Sequence, residues 1–335
     1  MSWRLIPGSF TLTLARMQLK FTSLVAALMV SLSTLLAGCD DIGPPLTRAA
    51  LSVERWHADL ERKELVLPNG TRIAYLEGGR GDPLVLLHGF GTDKDNFTRV
   101  ARWLTPHYRV IIPDLVGFGE SSRLTGVDYR FAAQAQRVHD FTQALGLKQL
   151  SLGGNSMGGA IAMSYAAQHP KDVDSLWLLD PAGIAGAPHG ELARRVLAGQ
   201  PNPLIIEKED DFPAMMNFAM SDPPYLPGPI MNVMARQRIA NRALELVVFR
   251  QIALDSVNQA IRNLPTPTLI VWGEEDRVLS AGTVPLLKSL LPQAEAIVMP
   301  RIGHAPMIEH PRQAAEDYLR FRARIAAPGR SVALQ

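Results

Sequence analysis

A single cysteine, Cys39, stands in 335 residues, so no disulfide can form within the chain and its stability must come from packing. Lysine and arginine (34) nearly cancel aspartate and glutamate (32), and no basic block or basic–aromatic interleaving occurs. That balance excludes the electrostatic footprint of a nucleic-acid binder. No histidine pair has the His-Glu-x-x-His spacing of a zinc site, and no Gly-x-x-x-x-Gly-Lys loop is present to cradle phosphates. No metal or other cofactor is therefore expected. Internal repeats and low-complexity tracts are also missing. What is there is a chain with 47% hydrophobic residues, enough to fill one large core.

Those apolar residues fall into short runs. Runs near 83–87, 108–112, 149–153, 175–179, 268–272 and 295–299 read as strands, with segments between them long enough for helices, one over 130–145. This alternation demands an α/β class with a doubly wound, mostly parallel sheet. Ahead of it, 64–67 and 71–76, split by Pro68-Asn69-Gly70, read as a hairpin. The segment 181–265 interrupts the alternation and reads as a helical cap inserted between two strands. Its first half crowds Met215, Met216, Met220, Met231 and Met234 among prolines. Its second half sets Leu246, Phe249, Ala253, Val257 and Ile261 on one helical face. The methionines suit an irregular apolar ligand, and they equally suit packing of the cap onto the core. The main domain is expected over 61–325, followed by an unstructured tail over 326–335.

The chemistry concentrates at the ends of the strands. Gly154-Asn155-Ser156-Met157-Gly158 follows the apolar Leu150-Ser151-Leu152 and leads into an alanine-rich helix. Strand, Gly-x-Ser-x-Gly and helix in that order describe a nucleophile elbow, a strained turn that lifts a serine hydroxyl above a sheet edge. The run ending at Leu87 enters His88-Gly89-Phe90-Gly91, a loop whose N–H groups can point at a developing oxyanion. The oxyanion donors are assigned to the backbone of Phe90 and Met157. Gly89-Phe90-Gly91 lacks the third glycine of a dinucleotide loop. The 268–272 run ends in Gly273-Glu274-Glu275-Asp276, and the 295–299 run leads to Gly303-His304. Serine needs an imidazole to take its proton, and the imidazole needs a carboxylate to fix its tautomer. Ser156 is thus assigned as nucleophile, His304 as general base and acid, and Asp276 as orienter. Asp276 is preferred to Asp180, which closes the 175–179 run, because three residues past Gly273 let the loop turn inward. Asp180 otherwise reads as a cap for its own loop. His107, His169 and His310 adjoin proline or a turn and read as surface residues. His139 lies in the 130–145 helix, and His88 reads as a structural neighbour of the oxyanion loop.

Three stretches carry a family resemblance. They are His88-Gly89-Phe90-Gly91 with Lys94-Asp95-Asn96-Phe97 behind it, Pro113-Asp114-Leu115-Val116-Gly117-Phe118-Gly119-Glu120-Ser121, and Gly154-Asn155-Ser156-Met157-Gly158-Gly159. Over 61–325 the chain resembles the α/β-hydrolase fold superfamily, and within it the bacterial family V lipases and esterases. The resemblance implies an acyl-ester or lipid substrate cleaved through an acyl-enzyme, and it too points to Asp276 and His304. The elbow also resembles that of the meta-cleavage-product hydrolases, which break carbon–carbon bonds. A non-catalytic binding protein on the same fold would have no use for Ser156, Asp276 and His304 together.

The N-terminus bears on where this chemistry takes place. Arg16 and Lys20 precede an uncharged stretch over 21–37, which runs into Leu36-Ala37-Gly38-Cys39. A basic region, an apolar region and small residues before a junction spell a secretory signal over 1–39, with Met17 an alternative start. Leu-Ala-Gly-Cys resembles the lipobox of bacterial lipoproteins, in which the cysteine is lipidated. The alternative is an uncleaved transmembrane helix of minimal length. Both place the protein at a membrane on the extracytoplasmic, periplasmic side, with positive charge before the segment and Asp40-Asp41 after it. In the 40–60 linker, Gly43-Pro44-Pro45 reads as a stiff spacer. A helix follows with Leu46, Ala50, Val53, His57 and Leu60 on one face, expected to pack on the domain rather than lie on the membrane.

Overall fold

The computed structural model describes residues 42–326. The readings made for the signal segment, Cys39 and the tail beyond 326 lie outside the described residues. An eight-stranded sheet has the order β1-β2-β4-β3-β5-β6-β7-β8. Its strands are β1 (Leu60–Val66), β2 (Arg72–Gly78), β3 (Pro83–Leu87), β4 (Arg109–Pro113), β5 (Leu150–Asn155), β6 (Val173–Leu179), β7 (Thr268–Gly273) and β8 (Glu295–Met299). β1 and β2 form the expected hairpin, longer than its apolar residues suggest, and β2 runs antiparallel to β4. The hairpin turn closes through Gly70, at φ 81°, and through the Asn69 side chain, which accepts the Thr71 N–H at 3.0 Å. Every other pairing is parallel, so the remaining strands deliver their C-terminal ends to one rim.

Both faces of the sheet are buried because alternate residues serve two cores. Val85 and Leu87 join Leu150, Leu152, Leu176, Leu178 and Ile270 in one cluster. Leu84 and Leu86 join Trp177, Leu179, Leu269 and Val271 in the other. Period-two alternation with both sides apolar is what turns a strand into a continuous hydrophobic run. The first core is covered by helices over Phe131–Ala144 and Met157–Gln168 and by one over Val284–Leu290. The second is covered by a helix over Pro311–Ile325, whose Tyr318 ring stacks on Trp177 at 4.7 Å. The Met157–Gln168 helix is buried from Met157 to Ala166, which is why its sequence shows no polar stripe.

Two expectations are corrected. The 181–265 insert holds helices over Glu191–Leu197, Asp211–Ala219, Gly228–Ala253 and Asn258–Ile261, but the proposed single face in its second half is broken. The long helix stops at Ala253, Leu254 is 92% exposed, and Val257 and Ile261 lie beyond the break. Asp255 causes the stop by spending its carboxylate on the Ser256 N–H (2.9 Å) and the Phe131 N–H (2.8 Å). The methionines pack: Met216 and Met220 are buried in the second core, with Met215, Met231 and Met234 against it.

The second correction concerns the helix over Gly43–His57. It packs on the body, but by its polar side: Thr47 is buried, and Arg55 forks onto Asp95 at 2.7 and 2.6 Å. Of its expected stripe Leu46, Val53 and His57 face outward, beside Ile42 and Trp56, the last 76% exposed, whereas Leu60 lies past the helix, buried in β1. Periodicity finds a stripe and says nothing about which way it points. Among the described residues no helix is long and apolar enough to cross a membrane.

Behind the Gly89 loop lies a buried ion cluster. Lys94 Nζ donates to Asp114 at 2.9 Å and to Glu120 at 2.8 Å, and the Lys94 and Glu120 N–H groups also donate to Asp114. Burial alone would lower the Lys94 pKa, but Asp114, Asp93 and Asp95 raise it above the usual lysine value. Burial works the other way on Glu120, yet Lys94 and Arg62 hold its carboxyl down at about 2. A depressed carboxylate stabilises the fold above the unfolded pKa, and that contribution fades as pH falls toward about 2. Removing one partner of a buried pair leaves an uncompensated charge. Lys94→Ala is therefore expected to lower unfolding free energy in urea by about 3–5 kcal/mol at neutral pH. A loss below about 1 kcal/mol would show that the pair is not isolated from water.

Candidate active site

The elbow forms where β5 ends. Ser156 has φ 55° and ψ −117°, a conformation that L side chains avoid, and it is half-exposed between buried neighbours. The turn holds because the chain on both sides is anchored: the Ser156 N–H bonds to Leu179 O at 3.0 Å, and its carbonyl accepts from Gly159 and Ala160. Gly158 must lack a side chain, since a Cβ there would meet Leu87 O at 2.1 Å. The same crowding sets the 88–91 loop beside the elbow. A Cβ on Gly89 would lie 3.5 Å from Ser156 Cβ. Met157 opens the following helix, so its N–H has no intrahelical acceptor.

His88 secures that loop. It is fully buried, with Nδ1 2.8 Å from Gly89 O and Nε2 accepting the Leu115 N–H at 3.0 Å. Burial lowers its pKa, and this pattern fits a neutral ring with its proton on Nδ1. Phe90 stands half-buried at the loop tip, edge-on to Phe249 of the Gly228–Ala253 helix at 5.5 Å. That helix carries a buried ion pair in which Arg238 donates to both Glu245 oxygens, at 2.7 and 2.9 Å, and to Leu204 O.

Asp276 and His304 meet at the ends of β7 and β8, with His304 Nδ1 2.8 Å from Asp276 Oδ2. Both are buried. Asp276 Oδ2 also accepts from Trp272 Nε1 at 3.2 Å, and its Oδ1 accepts the Val278 and Leu279 N–H groups at 2.8 and 2.9 Å. These four donors occupy both oxygens and fix the direction of the carboxyl group. Asn155, next to Ser156, donates to His304 O at 3.0 Å, which ties the histidine loop to the elbow. His304 N–H in turn bonds Ala219 O of the insert at 2.7 Å.

Sequence reasoning missed several of these supports. Glu309 gathers the N–H groups of Gly303, Ala305, Ser221 and Asp222, clamping the His304 loop to the insert. Its position five residues past His304 carried no signal, because two of its donors come from a distant segment. Trp272 and Asn155 sat inside quoted motifs without a role. Asp180 is enclosed rather than capping its own loop, and its Oδ1 accepts the Gly273 N–H at 2.8 Å. Burial and the neighbouring Asp276 charge push its carboxyl well above the usual range. His107 and His310 are exposed, as read. His169 is not a free surface residue: it is half-buried and stacks on His139 at 3.7 Å, with Asp172 3.6 Å from His139 Nε2. The two ring planes are only 8° from parallel, and one ligand atom each of His139, His169 and Asp172 lies within 4.8 Å of the others.

Comparison with known proteins agrees with this architecture. Residues 82–222 match the family model described as the alpha/beta hydrolase fold. Lipase 1 of Psychrobacter immobilis is 46% identical over 84% of this chain and 90% of its own length. Lipase 3 of Moraxella sp. (strain TA144) is 43% identical over 91% of this chain and 98% of its own. Among solved structures, a membrane phospholipase A described as a bacterial virulence factor is 35% identical, with a TM-score of 0.83 over 91% of this chain and 99% of that one. With a doubly wound sheet, a serine on a strained elbow and this degree of likeness, the chain belongs to the α/β-hydrolase fold family, beside its bacterial lipases.

Proposed function

We propose that the protein is a serine hydrolase of carboxylic esters, a lipase or esterase held at a bacterial membrane on its periplasmic side. The observation that carries the reading is the buried 2.8 Å contact between Asp276 and His304, tied through Asn155 to the strained Ser156 turn. The activity of the similar lipases supports the ester as substrate.

The geometry fits a two-stage acyl transfer. Ser156 Oγ attacks the ester carbonyl carbon while His304 Nε2 takes the hydroxyl proton. Asp276 holds the Nδ1 proton and stabilises the imidazolium as it forms. The carbonyl oxygen becomes an oxyanion facing the N–H groups of Phe90 and Met157. Collapse breaks the carbon–oxygen bond, and the leaving alkoxide takes the proton from His304. Water then attacks the acyl-Ser156 ester, again giving a proton to His304, which returns it to Oγ as the fatty acid leaves. No step needs a metal or cofactor.

Support for the membrane comes from the N-terminal side. The uncharged 21–37 stretch and Leu36-Ala37-Gly38-Cys39 stand just before a helix that turns Ile42, Leu46, Val53 and Trp56 outward. An apolar stripe on that side suits the headgroup–acyl boundary of a bilayer. A long apolar acyl chain is the substrate such a location would supply.

Three outcomes are expected. Ser156→Ala should lower kcat for a p-nitrophenyl ester by roughly 10⁴-fold with unfolding unchanged, and near-wild-type turnover would refute the nucleophile. Asp276→Asn should cost on the order of 10³–10⁴-fold, and Asp180→Asn far less, with the opposite ranking moving the acid to β6. Cys39→Ser should leave an unprocessed, unlipidated precursor; mass spectrometry showing the same mature chain in both proteins would defeat the lipid anchor and favour a retained helix.

A further inference from the structure

Asp180 is a buried carboxyl at this rim for which the proposed mechanism has no use. It follows β6 with φ 45°, is wholly enclosed, and has its backbone N–H on Val271 O at 3.0 Å. Its two oxygens differ sharply. Oδ1 accepts the Gly273 N–H, whereas Oδ2 is enclosed without any N–H or O–H donor. A buried carboxylate oxygen with no donor carries the full cost of its lost hydration. One oxygen of Asp180, one oxygen of Asp276 and one ring nitrogen of His304 lie within 4.8 Å of one another.

Two carboxyl groups this close inside a protein do not both ionise. Which one keeps the proton follows from their donors. Asp276 has four and Asp180 has one. A proton on Asp180 Oδ2 also resolves its own difficulty, since the enclosed oxygen becomes a donor and the adjacent carboxylate is its natural acceptor.

On the triad reading above, we infer that Asp180 is a neutral carboxylic acid that positions Asp276 by donating to it, and that it stands as a reserve acid able to ionise and orient His304 when the Asp276 charge is removed. The neutral form keeps a single negative charge beside His304. In Asp276→Asn the larger repulsion that holds the Asp180 proton disappears, and the weaker one from Glu309 stays. Asp180 then loses its proton to solvent and, by closing the remaining gap to the ring, takes over the Nδ1 proton of His304. The burial pressure on Asp180 remains, so this rescue appears only as pH rises. The direction of its displaced titration, upward from burial and from Asp276, accords with this assignment.

Four proteins test it: the full-length enzyme, Asp180→Asn, Asp276→Asn and the double variant, each assayed for kcat/KM across about pH 5 to 9. Asparagine is isosteric and can still donate, so Asp180→Asn alone should stay within about threefold of wild type at every pH. Asp276→Asn should keep residual activity that climbs with pH. The double variant should lose at least a further tenfold and the climb with it, a non-additivity that a merely structural Asp180 would not produce. Equal pH profiles for Asp276→Asn and the double variant would overturn the reserve role. A loss in Asp180→Asn as large as that in Asp276→Asn would overturn the neutral-acid role. Near-wild-type activity in Asp276→Asn would instead bring down the triad reading beneath it. Infrared difference spectroscopy of wild type against Asp180→Asn gives a readout independent of activity. A protonated-carboxyl band should be present at neutral pH and vanish in the variant, and no such band would contradict the inference.

Discussion

The hydrogen bond from His304 Nδ1 to Asp276 Oδ2 sets the demands that the surrounding structure meets. To be worth having, it must be dry, directed and held against the strained Ser156 turn, because a misplaced imidazole cannot take a hydroxyl proton. Dryness comes from burial of both residues. Direction comes from Trp272, Val278 and Leu279, which occupy the remaining lone pairs of Asp276. Position comes from Asn155 and Glu309, which bind the histidine loop to the elbow and to the insert. Parallel pairing from β3 to β8 makes this affordable, since it brings loops distant in sequence to one rim.

The insert and the N-terminal helix are fastened to the same machinery. Phe249 packs edge-on against Phe90 of the 88–91 loop, and Glu309 takes two of its donors from the residues that follow the Asp211–Ala219 helix. On the far side, Arg55 grips Asp95, the residue next to buried Lys94, whose charge is matched by Asp114 and Glu120. The Gly43–His57 helix is thereby tied to the strip of chain that carries Phe90. Its apolar residues Ile42, Leu46, Val53 and Trp56 are left facing out.

Much of the architecture was legible because it depends on local pattern. The strands announced themselves as apolar runs, and the elbow as a glycine-flanked serine between a strand and a helix. Asp276 and His304 could be paired from the sequence because each stands just past a strand end, and the structure brings them into contact. What escaped depends on partners far along the chain. Glu309 carried no local signal because two of its donors, Ser221 and Asp222, are supplied by the insert. The long helix ended at Ala253 because Asp255 found the Phe131 N–H, a contact absent from any local window. The stripe on the Gly43–His57 helix was visible, but its direction was decided by Thr47 and Arg55 finding partners on the body. Asp180 read as a loop cap because nothing in its neighbourhood in sequence discloses Asp276.

The central claim is that Ser156 is a nucleophile activated by His304. It is tested most directly by treating the full-length enzyme with a fluorophosphonate and mapping the adduct by peptide mass spectrometry. The account predicts one covalent adduct, on Ser156, formed in step with loss of ester hydrolysis and suppressed in His304→Ala. An adduct on another residue, or complete inactivation with Ser156 unmodified, would contradict it.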